Sequence, residues 1–181
     1  MKVLAGFLLG LAAVAVAGVV YIYSGSFNVA AIEPHGPLEI LVLSVAKERS
    51  VKMGAQAITP PPMPPSQKIG EAFRMFNDMC AQCHGAPGKD PTVIGKGLNP
   101  RPPKLSEVVQ SWRRAELFWI VKNGIKMTGM PAFGPTHSDE ELWLLVAFLQ
   151  RLPNITPEEY NGMADKFGTS KQSQQPESHK H

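Results

Sequence analysis

Apolar residues recur along much of the chain at the three-to-four spacing that is typical of amphipathic helices. One such stretch runs from Ser66 to Met79, and another runs from Arg113 to Asn123, where Gly124 supplies a stop signal. Their apolar positions are Ile69, Ala72, Phe73, Phe76 and Met79 in the first stretch and Leu117, Ile120 and Val121 in the second. Strand signals are few, so the pattern predicts an all-α fold.

A third amphipathic stretch shows both of its ends in the sequence. Ser138 can act as the N-cap, and Glu141 can reach back to it as the second member of a capping box. The apolar stripe continues to Leu152, where Pro153 and the next residue end the helix. Residues 155–181 are then predicted to form a short helix and a disordered tail, because the Ser, Gln and Lys of that tail cannot build a core.

The N-terminal segment is apolar on all sides. An uncharged stretch of 21 residues runs from Val3 to Tyr23, and about twenty apolar residues suffice to span the hydrocarbon core of a bilayer. Tyr21 and Tyr23 lie where an interfacial aromatic belt is expected. Residues 1–23 are therefore predicted to be a transmembrane anchor. A signal peptide cleaved after Ala17 is the alternative, since small residues precede that position.

Residues 24–65 are predicted to be a linker that carries one more helix. The stretch from Pro37 to Met53 has a broad apolar stripe, and such a stripe on a single helix needs a cover. The membrane interface, a partner subunit and the domain that follows are three alternatives for that cover. The run from Pro60 to Pro65 contains five prolines, which predicts an extended, semi-rigid spacer.

Charge is distributed unevenly along the chain. The formal net charge is only +3, with 18 basic and 15 acidic side chains. Between Gly85 and Met130, however, eight basic residues stand against three acidic ones. This surplus indicates either a basic face that steers the protein toward an acidic partner or an ordinary solvated surface. No recognition motif for nucleic acid accompanies the charge, so a nucleic-acid partner is not expected.

The only two cysteines of the chain lie in the run Cys80-Ala81-Gln82-Cys83-His84. This C-x-x-C-H pattern is the attachment signature of c-type haem, in which the two thiols bond to the porphyrin and the adjacent histidine binds the iron. A structural zinc site would need a second pair of ligands, and the chain has no second cysteine pair. A thioredoxin-like redox pair would follow a strand in a βαβ unit, whereas the surroundings of the motif look helical.

Downstream of the motif, the chain reads Met130-Pro131-Ala132-Phe133 before the last amphipathic helix. With the C-x-x-C-H run, this loop resembles that of class I c-type cytochromes, whose methionine ligand lies in such a loop. The resemblance implies a small helical domain around one haem c, bonded covalently to Cys80 and Cys83. It also implies His84 and Met130 as the axial ligands of the iron. Met127 is the alternative to Met130 as an axial ligand.

The resemblance covers the predicted cytochrome domain, residues 66–154, and implies further contacts. The segment from Gly97 to Leu105 is similar to the family's Gly-Pro-x-Leu turn, although Pro102 stands where the family has glycine. By this likeness the Pro103 carbonyl receives a hydrogen bond from the proximal histidine, and Leu105 packs on the haem.

The first and last helices of the domain should also cross in this family. By position, Ala72 and Phe76 are expected to meet Leu145 and Phe148.

The other histidines are expected to have no ligand role. His35 lies between a proline and a glycine and is predicted to be a linker residue. His137 precedes a helix cap and is predicted to lie in a loop, and His179 and His181 belong to the polar tail.

Together these features imply an electron-transfer protein and not an enzyme in its own right. The chain is expected to be a membrane-anchored monohaem cytochrome that passes single electrons between redox partner proteins on the periplasmic side of the cytoplasmic membrane. An electron-transfer subunit of a larger membrane dehydrogenase or oxidase complex is one alternative, and a haem sensor with a labile sixth ligand is another. The oligomeric state is left open.

Overall fold

The computed structural model describes residues 2–168, so the predicted polar tail, with His179 and His181, lies outside the described residues. The chain divides into two compact units, of which the first ends at Pro34 and the second begins at His35. The first unit contains helix α1, Lys2–Tyr23. Within residues 2–168, α1 is the one helix that is long and apolar enough to cross a membrane.

The second unit is helical, and no strand occurs between residues 35 and 168. The all-α prediction is therefore confirmed. Its helices are α2 (Pro37–Gly54), α3 (Ile69–Met75), α4 (Ala81–His84), α5 (Val93–Lys96), α6 (Leu105–Val108), α7 (Arg114–Asn123), α8 (Asp139–Arg151) and α9 (Pro157–Phe167). Short 3-10 turns at Ser66–Lys68, Val109–Ser111 and Leu152–Asn154 flank α3, α6 and α8.

The predicted helix from Ser66 to Met79 is divided into three helical types. A 3-10 turn leads into α3, and α3 then widens into a π-helical turn, Phe76–Cys80, that joins it to α4. The Ala81 N–H marks the end of this turn by donating to the carbonyl of Phe76, five residues earlier. Turns of this kind interrupt α-helices frequently at functional sites. Here the interruption ends at Cys80, the first cysteine of the C-x-x-C-H run.

The core of this unit is a cluster of aromatic side chains between α3, α8 and α9. The ring of Phe76 lies 5.2 Å from that of Phe148 between centroids, so the predicted contact between these two residues is confirmed. Ala72 and Leu145 are buried in the same cluster. The fully buried Tyr160 of α9 also contributes, and its hydroxyl donates to Asn77 Oδ1 at 3.0 Å.

Helix α8 begins as the sequence predicts. The Ser138 hydroxyl accepts the Glu141 N–H at 3.3 Å, and the Glu141 carboxylate accepts the Ser138 N–H at 2.8 Å. This reciprocal pair satisfies two backbone donors that the first turn of a helix leaves without partners. The capping-box prediction is therefore confirmed.

Helix α2 packs against α7 through its C-terminal half. Val51 and Ala55 are buried there, with exposed fractions of 0% and 2%. Gly54 lies directly against the Trp119 indole, and an added Cβ would overlap that ring unless the ring moved. Beyond α2, Arg114 Nη2 donates to the Pro61 carbonyl at 2.8 Å. The sequence predicts an extended, semi-rigid spacer here. In the structure, this contact holds the proline-rich run against the helical domain at Pro61.

Candidate haem site

The C-x-x-C-H run occupies the end of the π turn and the whole of α4. Cys80 closes the π turn, and Cys83 and His84 lie on the next helical turn, which ends at Gly85. Gly85 adopts φ 71°, a left-handed conformation that favours glycine. Both cysteines are free thiols, Cys80 buried and Cys83 partly buried. Burial, followed by the charge of Cys83, raises the pKa of Cys80 to about 12, so this thiol is neutral at physiological pH.

The imidazole of His84 is oriented by the backbone of a distant loop. Its Nδ1 lies 2.8 Å from the Pro103 carbonyl oxygen. A carbonyl can only accept, so Nδ1 carries the proton and the lone pair of Nε2 is left for a metal. Burial lowers the pKa of His84, while the Pro103 bond acts in the opposite direction. The result is a neutral imidazole with one fixed tautomer, which is the form that binds iron.

The loop that contains Met130 is closed by its own backbone. The Ile125 N–H donates to the Met130 carbonyl at 3.2 Å, and the Met130 N–H donates to Thr128 Oγ1 at 3.1 Å. Gly124 begins the loop at φ 67°, and an added Cβ there would lie 2.8 Å from the Met130 oxygen. These contacts tie the backbone of Met130 to the first half of its loop.

The two candidate methionines differ in their surroundings. Met130 is partly buried, whereas Met127 is 69% exposed and has φ 60°. A positive φ is uncommon for a residue with a side chain and marks the sharp turn of the loop. The exposed position of Met127 directs it away from the buried interior in which an axial ligand would lie.

Leu105, which is predicted to pack on the haem, lies close to the buried core. Leu105, the first residue of α6, is partly buried and packs against the core. Leu98 lies so near Gly129 that an added Cβ would come within 2.6 Å of it. The segment from Gly97 to Leu105 therefore contacts both His84, through Pro103, and the loop of Met130, through Leu98.

Sequence reasoning missed Gly95, which contacts the attachment motif directly. A Cβ built on Gly95 would lie 2.6 Å from the Cys83 oxygen, 2.7 Å from Cys83 Cα and 2.9 Å from the Gln82 oxygen. Thr92 supports the same contact, because its N–H and hydroxyl both donate to the Gln82 carbonyl at 2.9 Å. Helix α5 is thus packed backbone to backbone against α4. A lone glycine eleven residues after the motif gave no signal of this contact.

The other two histidines of the described residues, His35 and His137, contact neither His84 nor Pro103 in the hydrogen bonds and ion pairs that they make. His35 is partly exposed and has its Nδ1 3.7 Å from a Glu39 carboxylate oxygen. His137 lies in the loop before α8, where its Nδ1 is 2.9 Å from Thr136 Oγ1.

The basic surplus of residues 85–130 is partly neutralised in the fold. Each of the three acidic residues of this stretch pairs with a basic one, and a fourth basic residue pairs with Asp139. The pairs are Lys96–Asp90 at 3.3 Å, Lys104–Glu107 at 3.4 Å, Arg113–Glu116 at 2.8 Å and Lys122–Asp139 at 2.6 Å. Arg101 and Lys126 are exposed at the surface. The charge available to a partner is therefore smaller than composition indicates.

The Glu116 carboxylate is the one acidic group buried in the described part of the chain, with 3% of the residue exposed. Burial acts to raise its pKa, but hydrogen bonds from the Arg113 guanidinium and N–H, together with the Arg113 charge, outweigh it and lower the pKa. The carboxylate is therefore ionised at neutral pH and holds the first turn of α7.

These residues fit a covalently bound haem. Two free thiols lie three positions apart at one helical turn, and the neighbouring imidazole presents an unprotonated Nε2 because Pro103 occupies Nδ1. No group of three or more His, Cys, Asp or Glu side chains that could hold a separate metal ion occurs among residues 2–168. A haem bound here would be held by thioethers at Cys80 and Cys83 and by His84 on its iron.

Comparison with known proteins agrees with this chemistry. The family model described as "Cytochrome C oxidase, cbb3-type, subunit III" matches residues 67–149, a little under half of the chain. No curated protein and no solved structure matches the chain. The matched range begins in the 3-10 turn before α3 and ends within α8, so it contains both the C-x-x-C-H run and the loop of Met130. The chain therefore carries a c-type cytochrome domain of the class I kind, behind an N-terminal apolar helix.

Proposed function

We propose that this protein is a membrane-anchored monohaem cytochrome c that passes single electrons between redox partners outside the cytoplasmic membrane. The single observation that carries the proposal is the hydrogen bond from His84 Nδ1 to the Pro103 carbonyl, because it leaves Nε2 of the motif histidine free for iron. Haem bound here would supply a reversible one-electron change between ferrous and ferric iron.

In this proposal the side chains of the domain have separate roles. Cys80 and Cys83 hold the one haem covalently, since the chain has one C-x-x-C-H run. His84 and Met130 are the axial ligands, and Met130 is preferred to Met127 because Met127 is 69% exposed. The Pro103 carbonyl orients His84, and Leu105 packs near the porphyrin. A methionine sixth ligand raises the reduction potential and closes the iron to other ligands.

The axial assignment is tested by two methionine variants of the purified full chain. Met130→Ala should abolish the far-red absorption band of the ferric thioether bond and lower the reduction potential. Met127→Ala is the matched control and should leave both nearly unchanged. A wild-type band that survives Met130→Ala and disappears in Met127→Ala would contradict the assignment.

Covalent attachment is tested at the cysteines. Replacing both Cys80 and Cys83 by Ala should leave haem that acidified solvent extracts, or no haem, whereas the wild-type chain should keep its haem through denaturing electrophoresis. Haem that stays bound to the double variant after denaturation would refute the attachment proposal.

The membrane side and the partners are also part of the proposal. α1 is long enough to span a bilayer, and the cytochrome domain is expected on the periplasmic side. The exposed basic residues Arg101 and Lys126 are candidates for contact with an acidic partner. Protease added to intact spheroplasts should cleave the domain from its anchor, and full protection would place it in the cytoplasm.

A second candidate function has its own support in the family match. A chain of this kind can serve as the electron-transfer subunit of a membrane oxidase or dehydrogenase complex, since the matching family is described as an oxidase subunit. Purification in mild detergent distinguishes the two functions. Stoichiometric co-purification with other subunits favours the complex, whereas a lone monomer favours an independent carrier.

A further inference from the structure

One side of helix α2, its inner face, packs against the rest of the helical unit. Its inner side lines a groove of about 400 Å³ beside Trp119 and Met127, and it contributes Leu43, Ser44 and Lys47 to that groove. Farther along, Val51 on the same side is fully buried against the domain. The orientation of α2 about its own axis is therefore set by these contacts.

The opposite face of α2 is apolar and exposed over its first half. We call Leu38, Leu41, Val42 and Val45 the outer face; their exposed fractions are 72%, 61%, 55% and 51%. Their spacing places them in one stripe on one side of the helix. Isolated exposed apolar residues are ordinary, but a continuous stripe of four on a helix whose other side is packed indicates a contact surface.

The stripe changes character in the second half of the helix. At the next positions on the same side lie Glu48, Arg49 and Lys52, all exposed. Lys52 lies 3.7 Å from a Glu48 carboxylate oxygen, and Arg49 adds a positive charge beside the apolar stripe, which anionic headgroups of a bilayer attract.

The chain itself keeps α2 close to a membrane. α1 ends at Tyr23 and α2 begins at Pro37, so the connecting residues 24–36 can extend over at most about 45 Å. Phe27, Val29 and Ile32 within this connection are also exposed, by 52%, 84% and 89%. With α1 anchored, contact of α2 with the same bilayer is an intramolecular event, and a weak affinity suffices because the effective concentration is high.

We propose that the outer face of α2 lies in the lipid–water interface of the bilayer that α1 crosses, as a second attachment of the cytochrome domain to the membrane. This inference rests on the membrane anchoring proposed for α1. Two attachments, one flexible and one rigidly packed on α7, would restrict the rotation of the domain and so limit which of its surfaces can meet a partner.

The test uses the full chain, reconstituted into vesicles of phosphatidylcholine and phosphatidylglycerol, with the photoreactive residue p-benzoylphenylalanine in place of Leu41. Val93, which is 86% exposed on α5, is the matched control position, and Leu9 in α1, 74% exposed, reports insertion of the anchor. Each variant is accepted only if its haem spectrum matches that of the wild-type chain, and Val42 replaces Leu41 if that variant fails to fold. Illumination and mass spectrometry then count lipid adducts.

The expected result is lipid adducts at positions 9 and 41, with several-fold more at 41 than at 93. Adducts at 9 but not at 41 would overturn the interfacial proposal while leaving the anchor intact. An adduct of 41 to a second copy or, in membranes from the producing cells, to another protein in place of lipid would overturn it in favour of a protein contact. Absence of lipid adducts at 9 would refute the anchor, and the inference with it. The haem spectrum reports the cytochrome assignment separately from all of these outcomes.

Discussion

A methyl group added at Gly95 should disturb the haem-attachment helix. In Gly95→Ala the new Cβ would meet three backbone atoms of the motif at 2.6–2.9 Å: the Cys83 oxygen, Cys83 Cα and the Gln82 oxygen. Real Cβ atoms essentially never come this close to another heavy atom, so α4 and α5 must separate by several tenths of an ångström. The backbone of a helix cannot rotate away as the end of a side chain can. The separation must therefore move Cys83 itself.

The size of the effect follows from two opposing contributions. Forcing an extra methyl group into a packed site costs about 1–3 kcal/mol, and rigid backbone neighbours favour the upper half of that range. Alanine gains up to about 1 kcal/mol over glycine in a helix interior. The net loss is then about 1–2 kcal/mol in the free energy of unfolding. For a domain of this size, each kcal/mol lowers Tm by about 4–8 °C.

Gly97→Ala supplies the matched control. Gly97 follows α5 directly, and a Cβ there would have its nearest neighbour at 3.5 Å, an ordinary contact. Its φ of −88° suits alanine as well as glycine. We expect its stability to stay within about 0.5 kcal/mol of the wild type.

The two variants are compared by thermal unfolding of the haem-loaded full chain, followed by circular dichroism, and by the yield of covalently attached haem. Gly95→Ala should unfold at a lower temperature and be recovered with less attached haem. A Gly95→Ala protein as stable as Gly97→Ala, with a full complement of haem, would refute the close packing of α5 on α4.

Three other substitutions test separate parts of the domain. Ser138→Ala removes the N-cap of α8 and its bonds with Glu141, and should cost about 1 kcal/mol of unfolding free energy in urea titrations. Glu116→Gln breaks the charged hydrogen bonds from Arg113 and should cost about 1–2 kcal/mol at pH 7. Because the folded pKa of Glu116 is lowered, its contribution is present above its ordinary value of 4.5 and is lost as the pH falls through the folded pKa, so this variant should show a smaller loss of stability in acid than the wild type. Tyr160→Phe removes the bond from α9 to the π turn and should cost about 1 kcal/mol.

Two of these three substitutions have a control of the same chemistry. Thr136→Ala removes an exposed hydroxyl beside α8 without removing its cap, and Glu158→Gln removes an exposed carboxylate. If Ser138→Ala is no more destabilising than Thr136→Ala, the cap does not stabilise α8. If the unfolding free energies of Glu116→Gln and Glu158→Gln change with pH in the same way between pH 3 and pH 7, the ion pair of Glu116 contributes nothing to stability. An unchanged Tyr160→Phe protein would show that α9 does not need its hydroxyl to dock.

The relation between sequence and fold differs between the two ends of the cytochrome domain. The start of α8 was predictable residue by residue, because a capping box involves only Ser138 and Glu141, three positions apart. The first helix was predictable only as a helix. Its π turn, Phe76–Cys80, brings Phe76 against α8 while the C-x-x-C-H run continues in α4, and no local pattern of apolar residues specifies such a change of pitch.

Site residues divide in the same way. Cys80, Cys83 and His84 are recognisable from their spacing, since in a c-type haem site two thiols and an imidazole at this spacing serve one porphyrin. The role of Pro103 could be expected only through resemblance to a family, and it is the fold that brings its carbonyl to 2.8 Å from His84. Gly95 could not be found at all, because its role is to have no side chain beside Cys83.

By itself, then, the sequence determined the properties that depend on near neighbours: the helical segments, the apolar N-terminal helix, the helix cap and the spacing of the haem motif. Only the tertiary structure decided which segments contact each other. Val51 of α2 is buried against the domain, Arg114 donates a hydrogen bond to Pro61, which is 53 positions away, and Tyr160 donates one to Asn77, which is 83 positions away. The physical reason is that periodicity and capping act within one or two helical turns. Contacts between distant segments depend on how the whole set of apolar faces is buried together, and this is a property of the packed chain.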